Sequence, residues 1–225
     1  MNPLILRSLS GSALVLGAVG CLIGGVLHPV VDGEAHSIAA ITAPGELLGS
    51  LTLLIGTVLL LLGLPGVYGW LAGRLGRLGL VGFVLYFLGN LLSAVPHLVV
   101  MALLGPVVAR RAPELISHDD MIIDSPLFAT EQMIFGLVLV AGLLILSIAL
   151  VRCRALPRWI GVVGLVGSMI VLIPLPEQAV TTGLQVELAR AVMIGGLGLI
   201  AVRSTRAGEK SPGAAHAELV VGVSH

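Results

Sequence analysis

The stretch that most constrains the fold covers residues 78–101, 24 residues without a single Asp, Glu, Lys or Arg. A helix rises about 1.5 Å per residue, so this stretch can cross a hydrocarbon core of about 30 Å. Polar residues recur within it at spacings of 4, 3 and 4, which places them on one helical face: Tyr86, Asn90, Ser93 and His97. Because polar groups in hydrocarbon need partners, we expect this face to turn towards other helices.

The composition of the whole chain favours a membrane protein. The 225 residues are 57 % hydrophobic and only 11 % charged, too few polar groups to cover a water-soluble core of this size. Six apolar segments predict an all-α integral membrane bundle of six transmembrane helices, at residues 9–31, 45–64, 78–104, 132–151, 159–173 and 183–202. The predicted domains are a transmembrane domain at residues 1–203 and a flexible cytoplasmic tail at 204–225.

The distribution of basic residues predicts the orientation of this bundle. Two basic residues, Arg110 and Arg111, lie in connections on one side, against nine on the other: Arg7, Arg74, Arg77, Arg152, Arg154, Arg158, Arg203, Arg206 and Lys210. Basic residues concentrate on the cytoplasmic side, so both termini are predicted to be cytoplasmic, in a bacterial plasma (inner) membrane. The tight basic turns GRLGRLG and RCRALPR predict two antiparallel helical hairpins. Trp70 and Trp159 flank these turns and are predicted interface anchors.

Glycine spacing predicts close packing between helices. Gly20 and Gly24 are four residues apart, Gly49, Gly56 and Gly63 recur every seven, and Gly195 and Gly198 lie in the last segment. Small residues at such spacings allow helix backbones to approach in lipid. The same Gly-rich faces offer an alternative use as an interface between copies in a homo-oligomer.

A layer of polar residues near the outer leaflet is the candidate site. His28 and His97 each lie nineteen residues from the cytoplasmic start of their segments, so they are expected at one depth. Glu187 and Arg190 can pair at i and i+3 on the last helix. The candidate ligand-binding residues are His28, Glu46, Asn90, Ser93, His97, Glu187 and Arg190. His36 is near this layer in sequence, although it and His118 are expected in solvated loops.

Three interpretations of this layer stay open. In the first, an internal Glu187–Arg190 pair only fixes helix packing, as in a structural subunit of a larger membrane complex. In the second, the layer is a pocket that binds or transports a small amphipathic or lipid-like molecule. In the third, the chain is a haem- or metal-dependent membrane enzyme or redox protein, with haem or a divalent metal as cofactor and His28, His97, Glu46 and Glu131 as candidate ligands. The chain has no GxSxG motif, phosphate-binding glycine loop or nucleic-acid-binding surface, so we expect the lipid bilayer and a small ligand as partners and no nucleic acid.

Three sequence features resemble an uncharacterised bacterial family of multi-span membrane proteins of unknown function. They are the run Phe135-Gly136-Leu137-Val138, the turn Arg154-Ala155-Leu156-Pro157-Arg158-Trp159-Ile160-Gly161, and the acid followed by a small and apolar helix at residues 187–202. The resemblance covers about a third of the chain, in segments four to six. It implies a helical membrane bundle and brings no activity with it.

Overall fold

The computed structural model describes residues 2–116 and 123–209, and this part of the chain forms helices without a β-strand. The helices are α1 (Pro3–Leu27), α2 (Ile38–Ile41), α3 (Glu46–Gly89), α4 (Val95–Val99), α5 (Gly105–Arg111), α6 (Pro126–Arg152), α7 (Arg158–Ile170) and α8 (Thr181–Glu209). Two π-helical turns, Asn90–Ala94 and Val100–Leu104, connect α3 to α4 and α4 to α5, and a 3₁₀ turn, Pro113–Leu115, follows α5. The predicted all-α class is therefore confirmed.

Four helical runs in the described chain are long and apolar enough to cross a membrane: Pro3–Leu27, Glu46–Arg111, Pro126–Arg152 and Thr181–Thr205. The fifth predicted segment forms α7, which at 13 residues is shorter than these. At about 1.5 Å per residue, α7 is about 20 Å long. Large apolar side chains cover the outside of the bundle, with Leu62 69 % and Leu16 63 % exposed. Such a surface suits a hydrocarbon environment and is rare on soluble proteins.

The longest helical run folds back on itself at Gly76. This glycine has φ 63° and ψ −163°, which is not a helical conformation. Residues with a side chain rarely adopt it, so the position favours glycine. The rings of Tyr68 and Phe83 stack with centroids 4.3 Å apart, whereas residues so spaced on a straight helix would lie about 22 Å apart. α3 therefore consists of a first arm (residues 46–75) and a second arm (77–89), which confirms the hairpin predicted from GRLGRLG.

Glycines bring the helix pairs into close antiparallel contact. A methyl group added at Gly17 would lie 2.7 Å from the Gly56 carbonyl oxygen, and one at Gly63 would lie 2.6 Å from the Ser10 carbonyl oxygen. These contacts pair α1 with the first arm of α3. The second arm packs on α6 in the same way, with Gly142 against the backbone of Tyr86. The predicted role of glycine spacing in packing is thus confirmed, since these faces contact neighbouring helices of the same chain.

Helix α8 closes the bundle by packing between α1 and α7. Gly198 lies against Gly11 of α1, and Gly167 of α7 lies against Ala189. Because α1 and α8 are antiparallel, the first and last described residues lie at the same end of the bundle.

Helix α8 also runs beyond the predicted domain boundary at residue 203, to Glu209. The hydroxyls of Ser204 and Thr205 donate to the carbonyls of Ala201 and Val202 at 2.7 and 2.6 Å, so polar residues continue the helix. Residues 210–225 of the predicted tail, and His118, lie outside the described residues.

The antiparallel packing gives the bundle two chemically different ends. The basic end contains the start of α1, the bend at Gly76, the α6–α7 turn and the end of α8. Its described basic residues are Arg7, Arg74, Arg77, Arg152, Arg154, Arg158 and Arg203. The opposite end, which we call the cavity end, contains the α1–α3 connection, residues 90–116 and the start of α6 and α8.

Candidate functional site

A cavity of about 280 Å³ opens at the cavity end, between α1, the α3–α5 run and α8. Its walls are mostly apolar and include Leu53, Leu98, Met101 and Leu139. The polar groups that line it come from five parts of the chain: His28, His36, Thr57, His97, Glu177, Glu187 and Arg190. An apolar pocket with a few convergent polar groups is the usual form of a small-molecule site.

His28 is positioned by the end of α1 and by a buried carboxylate. The helix ends at Leu27, and His28 caps it in an extended conformation, its backbone N–H donating to the Gly24 carbonyl oxygen. Its Nδ1 lies 2.9 Å from Oε2 of Glu46, which is only 1 % exposed. The Ser50 hydroxyl donates to the other carboxylate oxygen at 2.5 Å. Glu46 therefore contacts His28 from the protein interior and orients its ring, and it does not itself line the cavity.

His36 connects the two predicted histidines. Its ring centroid lies 6.0 Å from that of His28 and 5.0 Å from that of His97, edge-on to the latter. The expectation of a solvated loop position for His36 is wrong, because the loop folds back over the bundle and turns the ring into the cavity. Glu177 holds this loop by accepting a hydrogen bond from the Ala35 backbone N–H at 2.6 Å.

The deep part of the cavity contains the predicted ion pair. Arg190 Nη2 lies 2.6 Å from Glu187 Oε2, and each residue is 5 % exposed. Arg190 Nη1 also donates to Asn90 Oδ1 at 3.4 Å, and the Asn90 amide donates to the Tyr86 carbonyl oxygen at 2.7 Å. A π-helical turn brings Asn90 towards α8, and such turns often occur at functional sites.

Two polar groups in this region have no hydrogen-bond partner within the described chain: Arg190 Nε and the Tyr86 hydroxyl. Tyr86 is fully buried. A buried donor without a partner is uncommon and costs about 1–3 kcal/mol. Arg190 therefore keeps unused hydrogen-bonding capacity at a cavity wall.

Thr57 and Cys21 are site residues that sequence reasoning missed. The Cys21 thiol lies 3.7 Å from the Thr57 hydroxyl, and both residues are almost completely buried. Threonine and cysteine in apolar segments are common packing residues, so only the position of Thr57 on the cavity wall, with Cys21 beside it, distinguishes them.

The structure brings together four of the seven candidate ligand-binding residues on the cavity wall: His28, His97, Glu187 and Arg190. Glu46 and Asn90 lie behind them, each contacting a wall residue. Ser93 does not line the cavity, and its hydroxyl donates to Gln132 Oε1 on α6 at 3.1 Å. The polar face predicted from the spacing of Tyr86, Asn90, Ser93 and His97 is therefore divided. His97 lines the cavity, whereas Ser93 contacts α6.

The four residues named as metal ligands, His28, His97, Glu46 and Glu131, are not brought together as one group. Within residues 2–116 and 123–209, no three His, Cys, Asp or Glu side chains are grouped so that they could hold a metal ion. Glu131 is turned to its neighbour, accepting a hydrogen bond from Gln132 Nε2 at 2.7 Å, and does not line the cavity. His28 and His97 also have the His36 ring between them, which differs from an axial pair on either side of a haem.

The fold and the site define a class of protein: an all-helical bundle with membrane-length apolar helices and a mostly apolar cavity lined by buried charged groups. Comparison with family models, with curated proteins and with solved structures found no match in any of the three. The resemblance of segments four to six to an uncharacterised membrane-protein family stays a prediction.

Proposed function

We propose that this chain is a bacterial inner-membrane protein of six spans, with cytoplasmic termini, that binds or transports a small amphipathic or lipid-like molecule. The first three spans would be α1, the first arm of α3, and the second arm of α3 with its continuation to Arg111. The last three would be α6, α7 with the residues after it, and α8. Support for this comes from the alternating direction of these helices and from the arginines gathered at the end that contains the first and last described residues. The cavity end would then face the periplasm.

The observation that carries the proposal is the mixed chemistry of the cavity. Its walls are apolar, yet Arg190, Glu187 and three histidine rings lie along them. A purely apolar ligand would leave these polar groups without new partners, and a purely polar ligand would leave the apolar walls uncovered. An amphipathic molecule satisfies both requirements.

The arrangement suggests how such a molecule would lie. A hydrogen-bond acceptor on the ligand would contact Arg190, whose side chain lines the cavity. The paired Glu187 neutralises most of the guanidinium charge, so a neutral or weakly anionic acceptor fits better than a strongly charged one. The apolar part of the ligand would contact Leu98 and Met101.

Native mass spectrometry of the protein purified in mild detergent tests this proposal. We expect a co-purified small molecule or lipid on the unmodified protein, and its loss from Ala94→Phe, because Ala94 lines the cavity and phenylalanine would fill it. Leu91→Phe is the matched control, since Leu91 lies on the same helical turn and is 40 % exposed on the outside of the bundle.

The proposal fails if no molecule co-purifies or if Ala94→Phe and Leu91→Phe retain it equally. An absorption spectrum and elemental analysis of the same sample detect haem or metal. A stoichiometric cofactor lost in His97→Ala would replace the binding proposal with the enzyme or redox alternative.

A further inference from the structure

A second cleft lies at the basic end, on the opposite side of the molecule from the cavity described above. It has a volume of about 300 Å³ and is formed by the start of α1 and the first arm of α3. Pro3, Leu4 and Leu6 line one wall, while Arg7 and Trp70 provide its polar and aromatic groups. The cleft therefore combines an apolar floor with a cationic rim.

Trp70 lies between two guanidinium groups. Arg7 Cζ is 5.3 Å and Arg74 Cζ is 6.0 Å from the centre of the indole ring, within the range of cation–π attraction. This contact holds both arginines beside the cleft. Arg7 Nη2 donates to the Ser204 carbonyl oxygen at a long 3.5 Å, and Arg7 Nε is buried with no hydrogen-bond partner in the described chain.

Arginine is the only charged residue type at the basic end among the side chains that the structure describes. Up to Thr205, the last residue of α8 whose side chain is described, this end contains seven arginines and no Asp or Glu. Membrane orientation accounts for an excess of arginine at this end. It does not account for a cleft with an arginine in its lining, and a guanidinium forms strong charge-assisted hydrogen bonds to phosphate.

We infer that this cleft binds an anionic phospholipid, with Arg7 and Arg74 contacting the phosphate and Trp70 lying at the level of the ester groups. Guanidinium groups donate several hydrogen bonds to phosphate, and tryptophan favours the interfacial region of a bilayer. The acyl chains would run along Leu4 and Leu6 at the outside of the bundle. Phosphatidylglycerol has the required chemistry, an anionic phosphodiester joined to two acyl chains.

Tryptophan fluorescence tests this inference in the full chain. The protein has two tryptophans, so Trp159→Phe leaves Trp70 as the single fluorophore. The protein is reconstituted in vesicles of phosphatidylcholine to which brominated phosphatidylglycerol or brominated phosphatidylcholine is added. We expect stronger quenching by the phosphatidylglycerol, and a relative affinity that falls about tenfold in Arg74→Gln, the effect of losing one charge-assisted hydrogen bond to phosphate.

Arg154→Gln is the matched control, because Arg154 is an exposed arginine of the basic end, whereas Arg74 lies beside Trp70 of the cleft with its Cζ 6.0 Å from the ring centre. We expect this variant to keep the preference for phosphatidylglycerol. Since Arg74 is also exposed, its substitution leaves the packing of the bundle intact and the result can be read as a binding effect.

Three results would overturn the inference. Equal quenching by the two brominated lipids would mean that the cleft has no preference for an anionic headgroup. Equal losses in Arg74→Gln and Arg154→Gln would mean that the field of the whole basic end, and not the cleft, attracts the lipid. Loss of the preference on addition of inorganic phosphate, but not of chloride at the same ionic strength, would assign the cleft to free phosphate.

Discussion

At the scale of single residues, the question is whether the Glu187–Arg190 pair only stabilises the bundle or also binds a ligand. Removing one partner of a buried ion pair leaves an uncompensated charge, which typically costs 3–5 kcal/mol. Both side chains are buried, and Arg190 also contacts Asn90 on the neighbouring helix. Stability alone therefore cannot show whether Arg190 also contacts a ligand.

A double-mutant comparison separates the two roles. We expect Glu187→Gln to lower the free energy of unfolding by about 3 kcal/mol, and Glu187→Gln/Arg190→Met to recover most of this loss, because no charge is left unpaired. Thermal unfolding in detergent measures the stability, and native mass spectrometry measures the co-purified molecule.

The two readouts give opposite expectations for the double variant. If Arg190 contacts the ligand, the double variant is stable and yet loses the co-purified molecule. If it is stable and retains that molecule in full, the pair only fixes helix packing and the proposed ligand contact is wrong.

At the scale of helices, close contact between α1 and the first arm of α3 depends on glycines, which have no side chain. A methyl group at Gly56 would lie 2.7 Å from the Cys21 backbone nitrogen and 2.9 Å from the Gly17 carbonyl oxygen. Since these are backbone atoms, the helices must separate to accept it. We expect Gly56→Ala to lower the free energy of unfolding by about 1–3 kcal/mol, as measured by thermal unfolding.

Gly73→Ala is the control for this prediction. Gly73 is exposed on the same arm of α3 and has no other atom within 4 Å of an added methyl group, so alanine there meets no clash. Alanine favours a helix over glycine by about 1 kcal/mol, so Gly73→Ala should be neutral or stabilising. Equal behaviour of the two variants would contradict the packing argument.

Gly76 offers a different kind of test, because its constraint is conformational. An added methyl group has space around it, but φ of 63° with ψ of −163° is a region that residues other than glycine rarely adopt. We expect Gly76→Ala to destabilise the protein by about 1–3 kcal/mol. A stability equal to that of Gly73→Ala would show that the bend tolerates a side chain.

Sequence periodicity could predict the helices but not every residue that they bring together. All six apolar segments fold as helices, and the basic turn at Gly76 reverses the chain, because apolar length and glycine chemistry are local properties. The loop position of His36 carries no periodic signal, and its contact with His97 depends on how that loop folds back over the bundle. Ser93 shares the spacing of Asn90 and His97, yet the π-helical turn changes the helical phase and Ser93 contacts α6 instead.

At the scale of the whole molecule, the two ends differ in charge and in chemistry. The basic end holds the arginine cluster with the Trp70 cleft, and the cavity end holds the buried acids and the histidines. A bundle of this polarity has one favoured orientation in a membrane, with its arginines on the cytoplasmic side. In the orientation that we propose, the cavity would open towards the periplasm, and that compartment would supply the ligand.

Cysteine labelling tests the orientation of the bundle and whether the first arm of α3 crosses the membrane. The native Cys21 and Cys153 are 1 % and 3 % exposed, so they provide little background. A membrane-impermeant maleimide applied to intact spheroplasts should label Glu34→Cys, at the cavity end, and should label Arg77→Cys, at the basic end, only after the membrane is opened. The reverse pattern would place the termini and the Trp70 cleft outside the cytoplasm. Labelling of both positions in intact spheroplasts would mean that the helices between them do not cross the bilayer, and the six-span arrangement would be wrong.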